Sequence, residues 1–156
     1  MKLIAHRANY NGDKADENSP AKIQAALARG YDVEIDIRYA FLAKRFYLGH
    51  DSSTYGVTME WLQKYKDVLW IHCKNVEAVV YFSECGYDFN YFWHQNDDYT
   101  LTSNGYIWTY VGKELSERSI MLLPEVHDAE LNNARDVNCY AICSDYVEKI
   151  KAKIQS

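Results

Sequence analysis

Short apolar runs alternate with helical segments along this chain, and the few residues available to each pair are what most limit the fold. Residues 2–6 read as a first strand. A helix over 20–29 has Ser19 as N-cap, Pro20 as its first residue and Gly30 as C-cap, with Ile23, Ala26 and Leu27 on one face. DVEIDIRY, 32–39, alternates with period two and reads as a strand. FYLGHD, 46–51, is a short extended piece, after which Thr58 caps a helix through Trp61, Leu62 and Tyr65. VLWIHCK, 68–74, is a strand, and Asn75 caps a helix over 76–84 that Gly86 ends. Further strands are expected at 87–95, on both sides of Ser103-Asn104-Gly105 within 99–110, at 119–126 and at 139–145. A short helix is expected from about Asp128, and a last one carries Val147, Ile150 and Ile154.

Repeated β-then-α predicts a parallel sheet with helices outside it. A closed eightfold barrel takes ~250 residues, or ~31 per unit. Here 156 residues leave about 19–20 per unit, too few for eight complete helices. The expected fold is therefore α/β: a reduced (βα)8-type TIM barrel, with several outer helices short or missing, mostly after residue 87. It forms one domain over 1–156. A doubly wound open sheet is the alternative, although the first strand is not followed by a GxGxxG turn.

Composition excludes several classes of function. The formal charge is −5 and no Lys/Arg run forms a nucleic-acid footprint, so no nucleic-acid partner is expected. Only three apolar residues precede His6, too few for the apolar core of a signal peptide, and no run approaches the ~18 apolar residues that span a bilayer. Cys73, Cys85, Cys139 and Cys143 lack CxxC spacing and read as reduced structural thiols, which fits a cytoplasmic protein. The oligomeric state is not legible in the sequence.

VEIDIR is the sharpest local signal. On a strand, Glu34 and Asp36 point to one side and Val33, Ile35 and Ile37 to the other. Two carboxylates sharing a face repel unless a cation lies between them. A divalent ion with a taste for oxygen ligands (Mg, Mn or Ca) satisfies both, and a solvent-facing edge paired to Lys or Arg is the alternative. His6 and Arg7 stand where the first strand runs out into a loop, the place where active sites sit on α/β folds. Arg offers a planar fork that matches phosphate oxygens, and His exchanges protons near neutral pH. His50-Asp51 adds a second imidazole at a strand-loop boundary, making an acid/base couple possible. IHCK adds His72 and Lys74, and FWHQND adds His94. Taken alone, each of these histidines is more often a satisfied structural residue than a ligand.

Taken together, IAHRANYN…ENSPAKIQAALARGYDVEIDIR…LGHD resembles the glycerophosphodiester phosphodiesterase family. There an HR pair, an EN(S/T) helix start, an E-x-D strand and an HD follow in this order. LWIHCK is similar to that family's strand ending in E-x-K, YIWTY to its WT strand, and YAICSDY to its closing GI-x-TD strand. The resemblance is specific over 3–51 and looser from 68 to 146. It implies a (βα)8 barrel that cleaves a small glycerophosphodiester-like substrate of lipid metabolism. His6 and His50 would be the catalytic acid and base, and Glu34 and Asp36 metal ligands. Arg7 and Lys74 would hold phosphate oxygens, and Trp108 would wall the pocket, with His94 beside the substrate.

The chain departs from the family pattern in two ways. His72 stands where the family has an acidic third metal ligand, and an imidazole there moves preference from Mg or Ca towards Mn or Zn. The chain also lacks the insertions that usually shape the pocket, so the leaving alcohol does not carry over. Two other readings stay open at this point: a non-catalytic phosphoryl-ligand binding module, and a structural barrel with buried histidines.

Overall fold

The carboxylate-bearing strand organises the molecule. In the computed structural model, which describes residues 1–127 and 136–155, strand β2 (Asp32–Ala40) pairs with three others. On one edge it runs parallel to β1 (Lys2–Ala5) and then, further along, antiparallel to β3 (Arg45–Leu48). Its other edge pairs in parallel with β5 (Leu69–Cys73), which in turn pairs with β6 (Tyr91–Trp93). From β1 the sheet continues through β10 (Ala141–Ser144), β9 (Ser119–Leu122) and β8 (Ile107–Thr109), all parallel, to the antiparallel β7 (Tyr99–Leu101). A short β4 (Tyr55–Val57) extends the β3 hairpin.

The expected reduced (βα)8-type TIM barrel is therefore not the fold. The protein is mixed α/β, a ten-stranded sheet whose main run of eight strands curls into a half-barrel. The described residues contain four α-helices that do not alternate with the strands: α1 (Pro20–Ala28), α2 (Met59–Lys64), α3 (Val76–Glu84) and α4 (Val147–Gln155). The physical reason is how the chain spends its length. After β2, residues go into the antiparallel β3–β4 meander, and after β6 they go into the antiparallel β7–β8 hairpin. The meander leaves room only for the six-residue α2 before β5, and the β7–β8 hairpin stands where a crossover helix would follow β6. The expected helix near Asp128 lies outside the described residues. Among the described residues no helix is long and apolar enough to cross a membrane.

The caps and the first three helices follow the local chemistry. Ser19, Thr58 and Asn75 each accept a hydrogen bond from a first-turn backbone N–H of α1, α2 and α3. Val33, Ile35 and Ile37 pack outward with Ile23, Leu62, Ala78 and Phe82 of these helices. The opposite, concave face carries Ile4, Trp70, Phe92, Trp108, Ile120 and Leu122. Helix α4 covers the far side of β9 and β10 through Ile150 against Met121 and Ile142. The curl thus gives the sheet an inner core as well as an outer one, and the carboxylates of β2 face the inner one.

Candidate functional site

Strand register assembles the site at the carboxyl ends of the parallel strands. Across β2 and β5, Glu34 is level with Trp70 and Asp36 with His72. Side chains alternate along a strand, so Glu34 and Asp36 share the concave face, where both are buried. His6 and Arg7 follow β1 in a 3₁₀ turn over His6–Ala8. There Arg7 and Ala8 take left-handed φ values of 50° and 66°, which cost non-glycine residues about 1–3 kcal/mol each. The left-handed turn takes the chain off the strand, so that two neighbours can serve one cleft.

That cleft, of about 590 Å³, is lined by His6, Arg7, Glu34, His50, His72, Lys74, His94 and Trp108, together with residues such as Gln95, Asn96 and Tyr110 that the sequence did not single out. Segments far apart in the chain thus meet in one place. Asp36 is fully buried against Arg7, His72 and Lys74, its ion-pair partners at 3.3, 3.1 and 3.8 Å.

The imidazole of His6 is held by a partner 139 residues away. Its Nδ1 lies 2.8 Å from Asp145 Oδ1, just past β10. Asp145 also accepts from Asn9 Nδ2 at 3.0 Å and is paired to Lys14 Nζ at 2.8 Å. Its own backbone N–H, and the hydroxyl of Ser144, each donate at 2.8 Å to Glu125. Burial opposes charge on His6, but the Asp145 hydrogen bond and the field of Glu34 outweigh it and raise the pKa. Burial likewise opposes ionisation of Asp145, and the His6 bond overcomes it, holding that carboxyl well below the usual range. With Nδ1 engaged, Nε2 is the nitrogen left to His6 for chemistry.

The two β2 carboxylates are gripped in a different way. Glu34 accepts the backbone N–H of Arg7 at 2.8 Å. Asn18 makes a reciprocal pair with Asp36, donating to Oδ2 at 3.0 Å and accepting the Asp36 N–H at 2.8 Å. His72 Nε2 is 3.0 Å from the carbonyl oxygen of His94, so that nitrogen carries a proton and donates it. Its Nδ1 then faces Asp36 at 3.1 Å and Glu34 at 3.7 Å. A bare lone pair so placed would be repelled, and the position calls for a proton or a metal ion. Burial works against charge on His72, but Asp36 and then Glu34 raise its pKa to about 9.

His50 is held more loosely. Its Nδ1 is 2.8 Å from the exposed carboxylate of its neighbour Asp51. The backbone is fixed instead by the Arg38 guanidinium, which donates to Gly49 O and, at 2.7 Å, to His50 O. Gly49 has φ +143°, and a Cβ there would stand 2.2 Å from Ser52 O, so the turn that delivers His50 requires glycine. His94 Nδ1 lies 3.0 Å from Thr100 Oγ1. Burial and the charge of His72 lower the His94 pKa. Trp108 is buried in the cleft floor and stacked on Phe92 at 4.6 Å.

The donor set suits a divalent cation. Glu34, Asp36 and His72 each offer a ligand atom within 4.8 Å of the other two, the one such cluster found among the described residues. Asp36 Oδ1 is buried with His72 Nδ1 at 3.1 Å and Lys74 Nζ at 3.8 Å as its neighbours, a position that either a proton on His72 or a metal ion can serve. Sequence reasoning missed Asp145, Asn9, Asn18, Glu125 and Arg38, and Glu17, which accepts from Asn9 Nδ2 at 2.7 Å and pairs with Arg7 Nη1 at 3.4 Å. The Asn18 signal was present in the EN(S/T) helix start and the Asp145 signal in YAICSDY, but partners for a given imidazole are not readable from spacing. No protein-family model, curated protein or solved structure matches this chain significantly.

Proposed function

We propose that the protein is a phosphodiesterase that cleaves a small glycerophosphodiester-like substrate in this cleft by acid–base catalysis between His6 and His50. The observation that carries this reading is the convergence of two imidazoles, Arg7 and Lys74 on one cleft above two buried carboxylates. The charged form of His6 is favoured by Asp145, so His6 is the better proton donor and is assigned to the leaving alkoxide. His50 takes the proton of the attacking hydroxyl, either water or a neighbouring substrate hydroxyl. Arg7 and Lys74 offset the charge that builds on the phosphoryl oxygens. Glu34, Asp36 and His72 would hold a divalent cation, Mg, Mn or Ca, with His72 inclining the site to Mn or Zn; when bound, it supplies Lewis-acid stabilisation of phosphoryl charge. The four cysteines are unpaired, and this supports a reducing, cytoplasmic setting.

Hydrolysis of a glycerophosphodiester with and without each metal, in wild type, His6→Ala and His50→Ala, tests this proposal. The expected result is metal-stimulated turnover that falls by about 10²–10⁴ in either variant. No turnover with any metal, or full turnover in His6→Ala, overturns it. One observation favours a second reading, a non-catalytic phosphoryl-binding module: His72 as an imidazolium already balances the carboxylates. Thermal stabilisation by glycerol phosphate without any turnover would select that module.

A further inference from the structure

The cleft has two chemically different walls. One carries the cations Arg7 and Lys74. The other, built from the ends of β6, β8 and β9, has no carboxylate, lysine or arginine, and no step of the acid–base chemistry uses it. His94 and Tyr110 both line it, with ring centroids 6.3 Å apart and planes 30° apart. The His94 ring is 6.2 Å from that of His72, which is stacked on Phe92, and Phe92 in turn is stacked on Trp108. A series of rings thus runs from the carboxylate cluster out to the rim.

The fold holds these groups in place. His94 Nδ1 lies 3.0 Å from Thr100 Oγ1 on β7. The Tyr110 N–H donates to Asp98 O at 2.9 Å, and its carbonyl accepts from the Lys113 N–H at 3.2 Å, yet the residue is 49% exposed. Leu123 lines the same wall from a left-handed backbone (φ 45°, ψ 56°), its N–H donating to Cys143 O at 2.8 Å. Such strain persists only where the surroundings impose it, and it gathers at ligand-binding sites.

Gln95 and Asn96 follow His94 at the rim, both exposed. Among the described residues neither amide makes a hydrogen bond, and neither does the Tyr110 hydroxyl. Each amide offers donors and an acceptor. Ring faces beside free amides suit a flat heteroaromatic ring with polar edges, because stacking takes its face and the amides take its edge. A glycerol-sized alcohol would leave both unused. Charge sets the direction of binding. Exposed Asp97 lies close enough to act on the His94 imidazole, so a phosphoryl group is repelled from this end and stays with Arg7 and Lys74.

Resting on the phosphodiesterase reading, we propose that the substrate is a diester in which one alcohol is a nucleoside, its base seated against His94 and Tyr110 with its edge on Gln95 and Asn96. Calorimetric titration with adenosine 5′-monophosphate and with ribose 5-phosphate isolates the base, since the two ligands share sugar and phosphate. Wild type should bind the nucleotide about tenfold or more tightly than the sugar phosphate. Tyr110→Ala should remove most of that difference, and Tyr110→Phe should keep it, because stacking needs the ring face and not the hydroxyl. Gln95→Ala/Asn96→Ala should weaken binding of the nucleotide alone. All three positions are exposed, and an unchanged melting temperature checks that each variant folds. Wild type that binds neither ligand, or both equally, overturns the proposal, as does an undiminished preference in Tyr110→Ala. Preference for the nucleotide without cleavage of any diester would leave the base subsite standing and count against the phosphodiesterase. Cleavage of a glycerophosphodiester by a protein that does not distinguish the two ligands would do the reverse.

Discussion

Asp145→Asn is the most informative single change, because it keeps the shape of the side chain and removes the charge that orients His6. In the native protein the buried carboxylate faces His6 Nδ1 at 2.8 Å, Asn9 Nδ2 at 3.0 Å and Lys14 Nζ at 2.8 Å. The Lys14 side chain is 61% exposed, so its contribution is screened and small. The His6 contact is buried on both sides, with side chains 13% and 6% exposed. A charge-assisted hydrogen bond of that kind contributes about 1.5–3 kcal/mol. We expect Asp145→Asn to lower the unfolding free energy by about 2–4 kcal/mol near pH 6 in urea titrations. In a cycle with His6→Ala, the coupling energy should be about 2 kcal/mol. The sign of the pH effect follows from the shifts. The raised pKa of His6 means its stabilisation is full below 6.5 and is lost as pH rises through the folded value, while the lowered pKa of Asp145 means its share is lost as pH falls through its own folded value. The coupling should therefore shrink towards both pH extremes. In activity, the variant should lose about 10²-fold or more in kcat, with the His6-dependent limb of the pH profile moved to lower pH. Additive stability effects, or an unmoved pH limb, would refute the dyad.

Three further outcomes follow. In chelator, stability should decline by about 3 kcal/mol as pH rises from 6.5 through about 9, the change from 6.5 to about 9 in His72 at 1.36 kcal/mol per unit. Denaturant midpoints should show a much flatter slope for His72→Gln in that window, and an equal slope would remove His72 as its source. His72→Glu should shift metal preference, read by titration calorimetry, from Mn or Zn towards Mg or Ca; no change in preference or affinity would take His72 out of the ligand set. Gly49→Ala, whose Cβ would meet Ser52 O at 2.2 Å, should cost the His50 turn about 2 kcal/mol or more and lower kcat, seen by urea titration and turnover together; a neutral result would mean that the turn relaxes freely.

Much of the site was legible because it lies in short local signals. The period-two run of β2 put Glu34 and Asp36 on one face, and the Ser19, Thr58 and Asn75 caps placed the first three helices. The overall fold was less legible, for a definite reason. The barrel expectation rests on counting β-then-α units, whereas β3, β4 and β7 are antiparallel strands. Strand direction is not encoded in periodicity, because parallel and antiparallel strands share the same two-residue alternation. The span 87–95 reads as one apolar strand, yet only Tyr91–Trp93 is strand, since Phe89 turns inward against Phe82 and Tyr87 stays exposed. The partners of His6 and Asp36, Asp145 and Asn18, become visible only when β1, β2 and β10 are laid side by side.

The central claim is that one phosphoryl group sits between His6 and His50, against Arg7 and Lys74, over a cation held by Glu34, Asp36 and His72. A crystal structure with Mn²⁺ and glycerol 3-phosphate, phased on the manganese anomalous signal, tests it most directly. The account predicts an anomalous peak within bonding distance of all three ligands and a phosphorus atom flanked by both imidazoles. A manganese peak elsewhere, or a phosphate bound away from His6 and His50, would contradict it.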